Sequence, residues 1–276
     1  MTTRNSTEPA EQLHQRARGR LRLTLKQTDR TRLDRLFQEG CLKARFPAPA
    51  AWHETVLLNT AGGVAGGDRL TLDIAAGPHT RATITTQAAE RFYRALPGST
   101  AHVRTALTVG PGAAMEWLPQ ETILFDRCAL DRALVVDLAL NCAFLCVEAF
   151  IFGRSAMGET VAHATLRDRI ELRRAGRLVR LEATRIVGPV QPLLDRPASA
   201  GGARAVATLL YAAPDAAAHL DALRWALAPY DAGATLQDGV LAARMMAADG
   251  ACLRRAVVAG LAVVRGGRPL PRVWEC

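Results

Sequence analysis

Three acids stand where charge is unexpected. Asp68 directly follows a loop that holds four glycines in six positions, Gly62, Gly63, Gly66 and Gly67. Glu148 interrupts the apolar run Cys146-Val147-Glu148-Ala149-Phe150, and Glu182 closes Leu178-Val179-Arg180-Leu181-Glu182. Charged side chains are rarely buried without a partner. Each acid therefore pairs with an arginine inside the fold, with Arg91, Arg94, Arg154 and Arg185 in supply, or performs chemistry. As general acids or bases the three would move protons for an enzyme. As oxygen ligands they would line a wet internal passage for a divalent cation.

The glycine loop invites a phosphate, and spacing tests that reading. Gly62 and Gly67 have the separation of a P-loop, but Asp68 and Arg69 occupy its lysine and hydroxyl positions. A carboxylate there repels a nucleotide. No window supplies the two glycines, one residue apart, that open a dinucleotide fingerprint. The residues that follow, Leu70, Leu72 and Ile74, alternate as a strand and do not open a helix toward an anion. The loop reads as a tight double turn between strands, whose glycines let something approach the backbone closely.

Other candidate sets are weaker. Cys142 and Cys146, with Cys128 near them in sequence, would share a face, yet no C-x-x-C or H-x-x-x-H completes a structural zinc site. Cysteine in an apolar strand packs as a small hydrophobe. His163 with Glu159 and Asp168 is the nearest approach to a ligand cluster. Ser155 lacks the closing glycine of G-x-S-x-G, so a hydrolytic nucleophile is not expected.

The elements that position these residues read mainly as strands. Leu21–Leu25, Thr80–Thr86 and His102–Val109 alternate apolar and polar, and turn residues such as Gly77-Pro78, Pro97-Gly98 and Gly110-Pro111-Gly112 recur at short intervals. Ala133 to Phe152 fits strands better than a helix, and Ile170–Glu182 forms a hairpin about Ala175-Gly176. Arg30 to Gln38 reads as a short helical turn or a polar excursion. After a Pro- and Gly-rich loop at 189–202 the period becomes helical: one helix with Asp215 as N-cap ends before Pro229, and a second spans Ala251 to Val264. The tail to Trp274 is extended, because Pro269 and Pro271 prevent a helix. The expected fold is mainly β, a long coiled or sandwich-like β-structure with a smaller C-terminal α/β part carrying two helices. Its expected divisions are a disordered tail at 1–18, a β-rich domain at 19–202, and a C-terminal part at 203–276 packed on the same domain. The absence of a βαβ rhythm argues against a doubly wound sheet.

Composition narrows the class. The 276 residues carry a formal charge of +9, which favours an acidic partner. No stretch interleaves arginine with several aromatics as a single-strand platform would. Six scattered cysteines and a polar N-terminus suggest a cytoplasmic protein with reduced thiols. The most apolar stretch, Leu138 to Phe152, is shorter than a membrane span and contains Asn141 and Glu148. Neither nucleic acid nor membrane is the expected partner.

Five segments occur in a telling order: the glycine-acid loop, Arg91-Phe92-Tyr93-Arg94, Glu116-Trp117-Leu118-Pro119-Gln120-Glu121, Phe152-Gly153-Arg154-Ser155-Ala156-Met157-Gly158-Glu159, and Leu270-Pro271-Arg272-Val273-Trp274. Together they resemble the UreD (UreH) family of urease accessory proteins, over nearly the whole chain from Leu21 to Trp274. The resemblance implies a maturation factor and no enzyme. It implies a complex with UreF, the GTPase UreG and apo-urease, and a protected route for nickel. On that reading Asp68, Glu148 and Glu182 are passage carboxylates, the loop glycines border the path, and Ni²⁺ is held only in transit. The alternatives are a basic nucleic-acid-binding β protein, and an acid/base enzyme using Asp68, Glu148 or Glu182.

Overall fold

Apolar–polar alternation is what a strand needs to bury one face, and it recurs along most of this chain. The structure, a computed structural model, describes residues 15–47, 51–154 and 158–275. Among them are seventeen strands: β1 (Arg18–Gln27), β2 (Thr31–Gly40), β3 (Leu42–Arg45), β4 (His53–Asn59), β5 (Arg69–Ala76), β6 (Arg81–Thr86), β7 (Glu90–Phe92), β8 (Ala101–Val109), β9 (Ala114–Leu118), β10 (Thr122–Leu124), β11 (Ala129–Leu138), β12 (Ala143–Phe152), β13 (His163–Arg174), β14 (Arg177–Pro189), β15 (Ala205–Ala212), β16 (Asp231–Gln237) and β17 (Val240–Ala247). Helices α1 (Gln191–Leu194), α2 (Leu220–Leu227) and α3 (Gly250–Val264) lie toward the C-terminus.

The strands form two sheets. The first has the order β14-β13-β11-β8-β5-β1-β2, and the second β16-β17-β15-β12-β9-β6-β4-β3, with β10 beside β12 and β7 beside β10. From β4 to β13 the chain repeatedly crosses from one sheet to the other. Each return runs in the same direction, so β5, β8, β11 and β13 pair in parallel, and so do β4, β6, β9 and β12. Parallel strands normally need helical crossovers. Here the opposite sheet is the crossover, and the result is the expected mainly β, coiled architecture. Antiparallel pairs close it at both ends, β1 with β2 and β13 with β14 in the first sheet.

Two cores result. Between the sheets, Leu21, Leu23, Ile74, Leu107 and Leu166 face Ile84, Met115, Phe144 and Cys146. On the outer face of the second sheet, Leu145, Val147, Leu209 and Met245 pack against Leu223, Leu253, Val257 and Leu261 of α2 and α3. Each fully buried leucine contributes about 1.5–3 kcal/mol of transfer free energy. Strand β12 is covered on both faces, which is why Phe144–Phe152 reads as a nearly continuous apolar run without alternation.

Several expectations need correction. The stretch expected as a helical turn or excursion, Arg30–Gln38, is neither; from Thr31 on it is β2, an edge strand whose exposed side chains left no clear period. Arg18 already belongs to β1, and residues 1–14 lie outside the described residues. Strand β14 continues past Glu182 to Pro189. Asp215 makes no N-cap bond; its carboxylate accepts from the Tyr211 hydroxyl at 2.8 Å, and a 3₁₀ turn precedes α2. The second helix is capped by Asp249, which accepts from the Cys252 N–H at 2.8 Å. No described helix is long and apolar enough to cross a membrane.

Candidate functional site

The two sheets do not close on each other everywhere. A cavity of about 280 Å³ remains between them, lined by Leu70, Leu72, Val103, Thr105, Arg132 and Leu134 from the first sheet and by Trp117, Thr122 and Glu148 from the second. Asn59, Gly62, Gly63, Gln87, Glu90 and Arg91 form its rim.

At the deep end, β9 turns Trp117 inward and its neighbours Glu116 and Leu118 outward. The Trp117 indole N–H donates to Glu148 Oε1 at 2.7 Å. Arg132 Nη1 meets Glu148 Oε2 at 2.7 Å and donates to Thr122 Oγ1 at 3.1 Å, while its Nε donates to Asp168 Oδ1 at 2.6 Å. The guanidinium lies over the Phe150 ring, 4.5 Å from its centre, and its Nη2 is buried with no partner. Burial raises the Glu148 pKa above the usual carboxylate range, although Arg132 opposes the shift. Burial also works against the Arg132 charge, but Asp168 and Glu148 outweigh it and raise that pKa. One guanidinium thus faces two carboxylates beside an open space.

The rim is built by the glycine loop, which joins β4 of the second sheet to β5 of the first. Val64 forms a parallel bridge with Phe92, its N–H donating to Arg91 O at 2.8 Å. This places Gly63 against Tyr93 at φ +145°, where a Cβ would overlap the Tyr93 ring. Asn59 organises the turn: its amide nitrogen donates to Gly63 O at 3.1 Å and reaches both Glu90 carboxylate oxygens at 3.3 Å. Burial pushes the Glu90 pKa up to about 7, with Asn59 only partly opposing it.

The three sequence-predicted acids do not share this cavity. Glu148 lines it; Asp68 and Glu182 do not. Asp68 is 5% exposed, and its two oxygens accept from the N–H groups of Ala17 and Ala65, each at 2.8 Å. It pins the loop to the segment entering β1. Glu182 lies between Arg180 and Arg244, at 2.7 Å and 2.5 Å, and so ties β14 to β17. Of the glycines, Gly62 and Gly63 border the cavity, whereas Gly66 packs on Ala95 and Ser99, and Gly67 on Arg16.

Arg132 and Glu90 were missed, and Asp168 was considered only as a ligand beside His163 and Glu159. Arg132 is in phase with Leu130, Leu134 and Val136, and Asp168 with Leu166 and Ile170, so strand period alone puts both on the buried face. None of the four arginines considered as partners for Glu148 fills that role. Glu90 starts a strand of three residues, too short for a period.

The remaining candidates separate. Asp168 is committed to Arg132, Glu159 pairs with Arg154 at 2.8 Å, and His163 stands exposed at the start of β13. No group of three or more metal-ligating side chains occurs among the described residues. Cys142 donates to Ala139 O at 3.1 Å, Cys146 is fully buried, and burial raises both thiol pKa values. Ser155 lies outside the described residues.

The outward half of the same motif fastens the C-terminus. Glu116 accepts from Thr83 Oγ1 at 2.6 Å, from Arg265 Nε and Nη2 at 3.0 and 3.1 Å, and from Arg268. Burial alone would raise Glu116, but Arg265 above all holds it below the usual carboxylate range. Gln120 and Glu121 bind Arg254, and the Trp274 indole donates to Thr85 Oγ1 at 3.1 Å.

Known proteins are similar to this chain along nearly its whole length. The family described as UreD urease accessory protein matches residues 17–275. A relative from Rhizobium leguminosarum bv. trifolii, named urease accessory protein UreD, is 49% identical over 263 residues, 95% of this chain and 96% of its own. Its counterpart from Rhizobium leguminosarum bv. viciae is 47% identical over 99% of both chains. That from Agrobacterium fabrum is 44% identical over 98% of this chain and 95% of its own. The relatives are named as accessory factors and not as enzymes. The family match over residues 17–275 and the full-length similarity show that the chain belongs to the UreD family of urease accessory proteins.

Proposed function

We propose that this accessory protein, in the cytoplasm, joins UreF, the GTPase UreG and apo-urease in a maturation complex, and that nickel crosses it through the cavity between the sheets. The observation that supports this most is an open cavity between the sheets whose largely apolar walls carry two carboxylates, Glu90 and Glu148, that form no closed ligand set. A carrier must release its ion, and a few oxygen ligands let Ni²⁺ exchange, whereas a four-ligand Cys/His cage would retain it. Glu90 at the rim and Glu148 at the deep end offer those oxygens. Arg132 acts as a resident cation that keeps Glu148 from trapping the ion. Asp68 contributes by holding the rim loop, and Glu182 by tying β14 to β17. The five cysteines described are unpaired, as in a reducing compartment.

Co-purification tests the reading. A tagged copy expressed in its host is expected to retrieve UreF, UreG and urease subunits, and its deletion to leave urease nickel-poor. Retrieval of none of them, or full nickel loading of urease in the deletion strain, would contradict it.

A further inference from the structure

A second hollow lies at the end of the second sheet where β6, β9 and β12 begin and β15 finishes. Its volume is about 470 Å³, and it shares no lining residue with the cavity between the sheets. Register sets Arg81, Ala114 and Ala143 side by side on β6, β9 and β12, and pairs Leu145 with Tyr211 of β15. Arg265 at the end of α3, and Arg268 just beyond it, enter from the C-terminal side. His219, from the turn before α2, and Trp52 complete the polar and aromatic lining.

The acids in this pocket are already committed. Glu116 is filled by Thr83, Arg265 and Arg268, and the Asp215 carboxylate takes the Tyr211 hydroxyl at 2.8 Å and His219 Nε2 at 3.3 Å. The cations are not. Arg81 is exposed, and its side chain makes no ion pair within 4 Å among the described residues; only its backbone N–H is used, on Thr31 Oγ1. Arg268 reaches Glu116 through Nη2 alone, which leaves Nε and Nη1 without a hydrogen-bond partner among the described residues. Its guanidinium lies over the Trp52 ring, 3.8 Å from the centre, a stack that fixes its plane before anything binds. With His219 counted as neutral, three guanidiniums face two carboxylates, so the pocket is one negative charge short of balance. The end of α3 does not oppose an anion strongly, because the carbonyls of Leu261, Ala262 and Val263 accept from Arg265, Gly267 and Gly266 N–H groups.

The same features limit what fits. A surplus of one charge, with Asp215 in the wall, suits a singly charged carboxylate better than a phosphate dianion. A planar guanidinium also matches a carboxylate in shape. The volume is far larger than a bare ion needs, and buried Leu145, Ala213 and Val264 give it an apolar floor. Tyr211 and His219, edge to face with centres 5.5 Å apart, stand at its side.

We infer that this pocket binds a small organic monocarboxylate, whose charged end meets Arg81 and Arg268 and whose apolar body rests on Leu145, Ala213 and Val264. The site is separate from the passage proposed above, and its test involves no nickel.

The test is calorimetry on the full chain at fixed ionic strength, with benzoate as the probe. The wild type is expected to bind one benzoate with a Kd on the order of 1 mM, the range for a ligand of about nine non-hydrogen atoms. Benzamide keeps the ring without the charge, and acetate keeps the charge without the ring; each should bind about tenfold more weakly. Arg81→Met should weaken benzoate about tenfold and keep the wild-type thermal midpoint, since its side chain holds nothing in the fold. Arg268→Met should weaken it as well, although that change also loosens Glu116. Arg196→Met, an equal charge change away from the pocket, should bind normally. Benzamide or acetate binding as tightly as benzoate overturns the inference. So does undiminished binding by Arg81→Met, or an equal loss in Arg196→Met. Neither binding heat nor a rise in thermal midpoint at about 50 mM benzoate overturns it outright.

Discussion

Glu116 and Glu148 sit on the same sheet, are both almost fully buried and both face arginine, yet they do opposite things. Glu116 points outward, where Arg265, Arg268 and Thr83 fill its oxygens, although it too borders a pocket, shared with Trp52 and Tyr211. Its proton affinity falls. Glu148 points inward beside a cavity, shares its one guanidinium with Asp168, and its proton affinity rises. The same residue chemistry yields a clamp where two arginines serve one carboxylate and a responsive group where one arginine is shared between two. Trp117, next to Glu116 in sequence, binds Glu148, so one motif serves both faces.

Breaking the clamp should have the largest effect. Arg265→Met leaves Glu116 buried with less compensation, at a cost of about 3–5 kcal/mol. Urea denaturation should show that loss, and the partner complex should weaken with it. A stability near wild type would mean that the C-terminal segment is not held by this pair.

Acid and base separate the two regions next. Glu116 titrates below its unfolded value of 4.5, so its contribution is present above that pH and is lost as pH falls through the folded pKa. Glu90, at about 7 in the folded protein against 4.5 unfolded, keeps its proton in the fold while the unfolded chain has released it. Stability should therefore decline between those two values as pH rises, by roughly 3 kcal/mol, and then level off. Glu90→Gln should flatten that decline. An unchanged slope in the variant would assign it to another group.

The rim glycines give a smaller contrast. Gly63→Ala meets Tyr93 and should cost about 1–3 kcal/mol, whereas Gly62→Ala meets no atom within 4 Å and bears only the strain of φ +75°. Thermal midpoints should rank them in that order, and the reverse order would refute the packing of the loop. Smallest are the thiols. Cys142→Ala and Cys146→Ala should each cost about 1 kcal/mol or more and leave urease nickel normal. Lost nickel with an intact complex would give the thiols a metal role.

Much of this architecture was legible. Alternation and turn residues identify the strands, and the helix near 251–264 is nearly in place. Alternation alone did not decide between a coiled and a sandwich-like course, because it looks the same whether the next strand joins this sheet or the opposite one. Asp215 shows the limit of capping signals: its carboxylate bonds to Tyr211, a neighbour set by β15, and leaves the helix uncapped. In the site, apolar context exposed Glu148, and strand phase could have exposed Arg132 and Asp168. Asp68 drew attention for its glycines, yet its oxygens serve backbone N–H groups that no local pattern reveals.

The most direct test of the central claim is one paired assay on Glu90→Gln/Glu148→Gln. Both changes keep side-chain shape and remove the cavity carboxylates. The amount of complex with UreF, UreG and apo-urease is measured beside the nickel content of the urease released from it. The account predicts wild-type recovery of the complex and a severalfold fall in urease nickel. Normal nickel from an intact complex would contradict the passage, and parallel loss of complex and nickel would reduce these carboxylates to structural pairs.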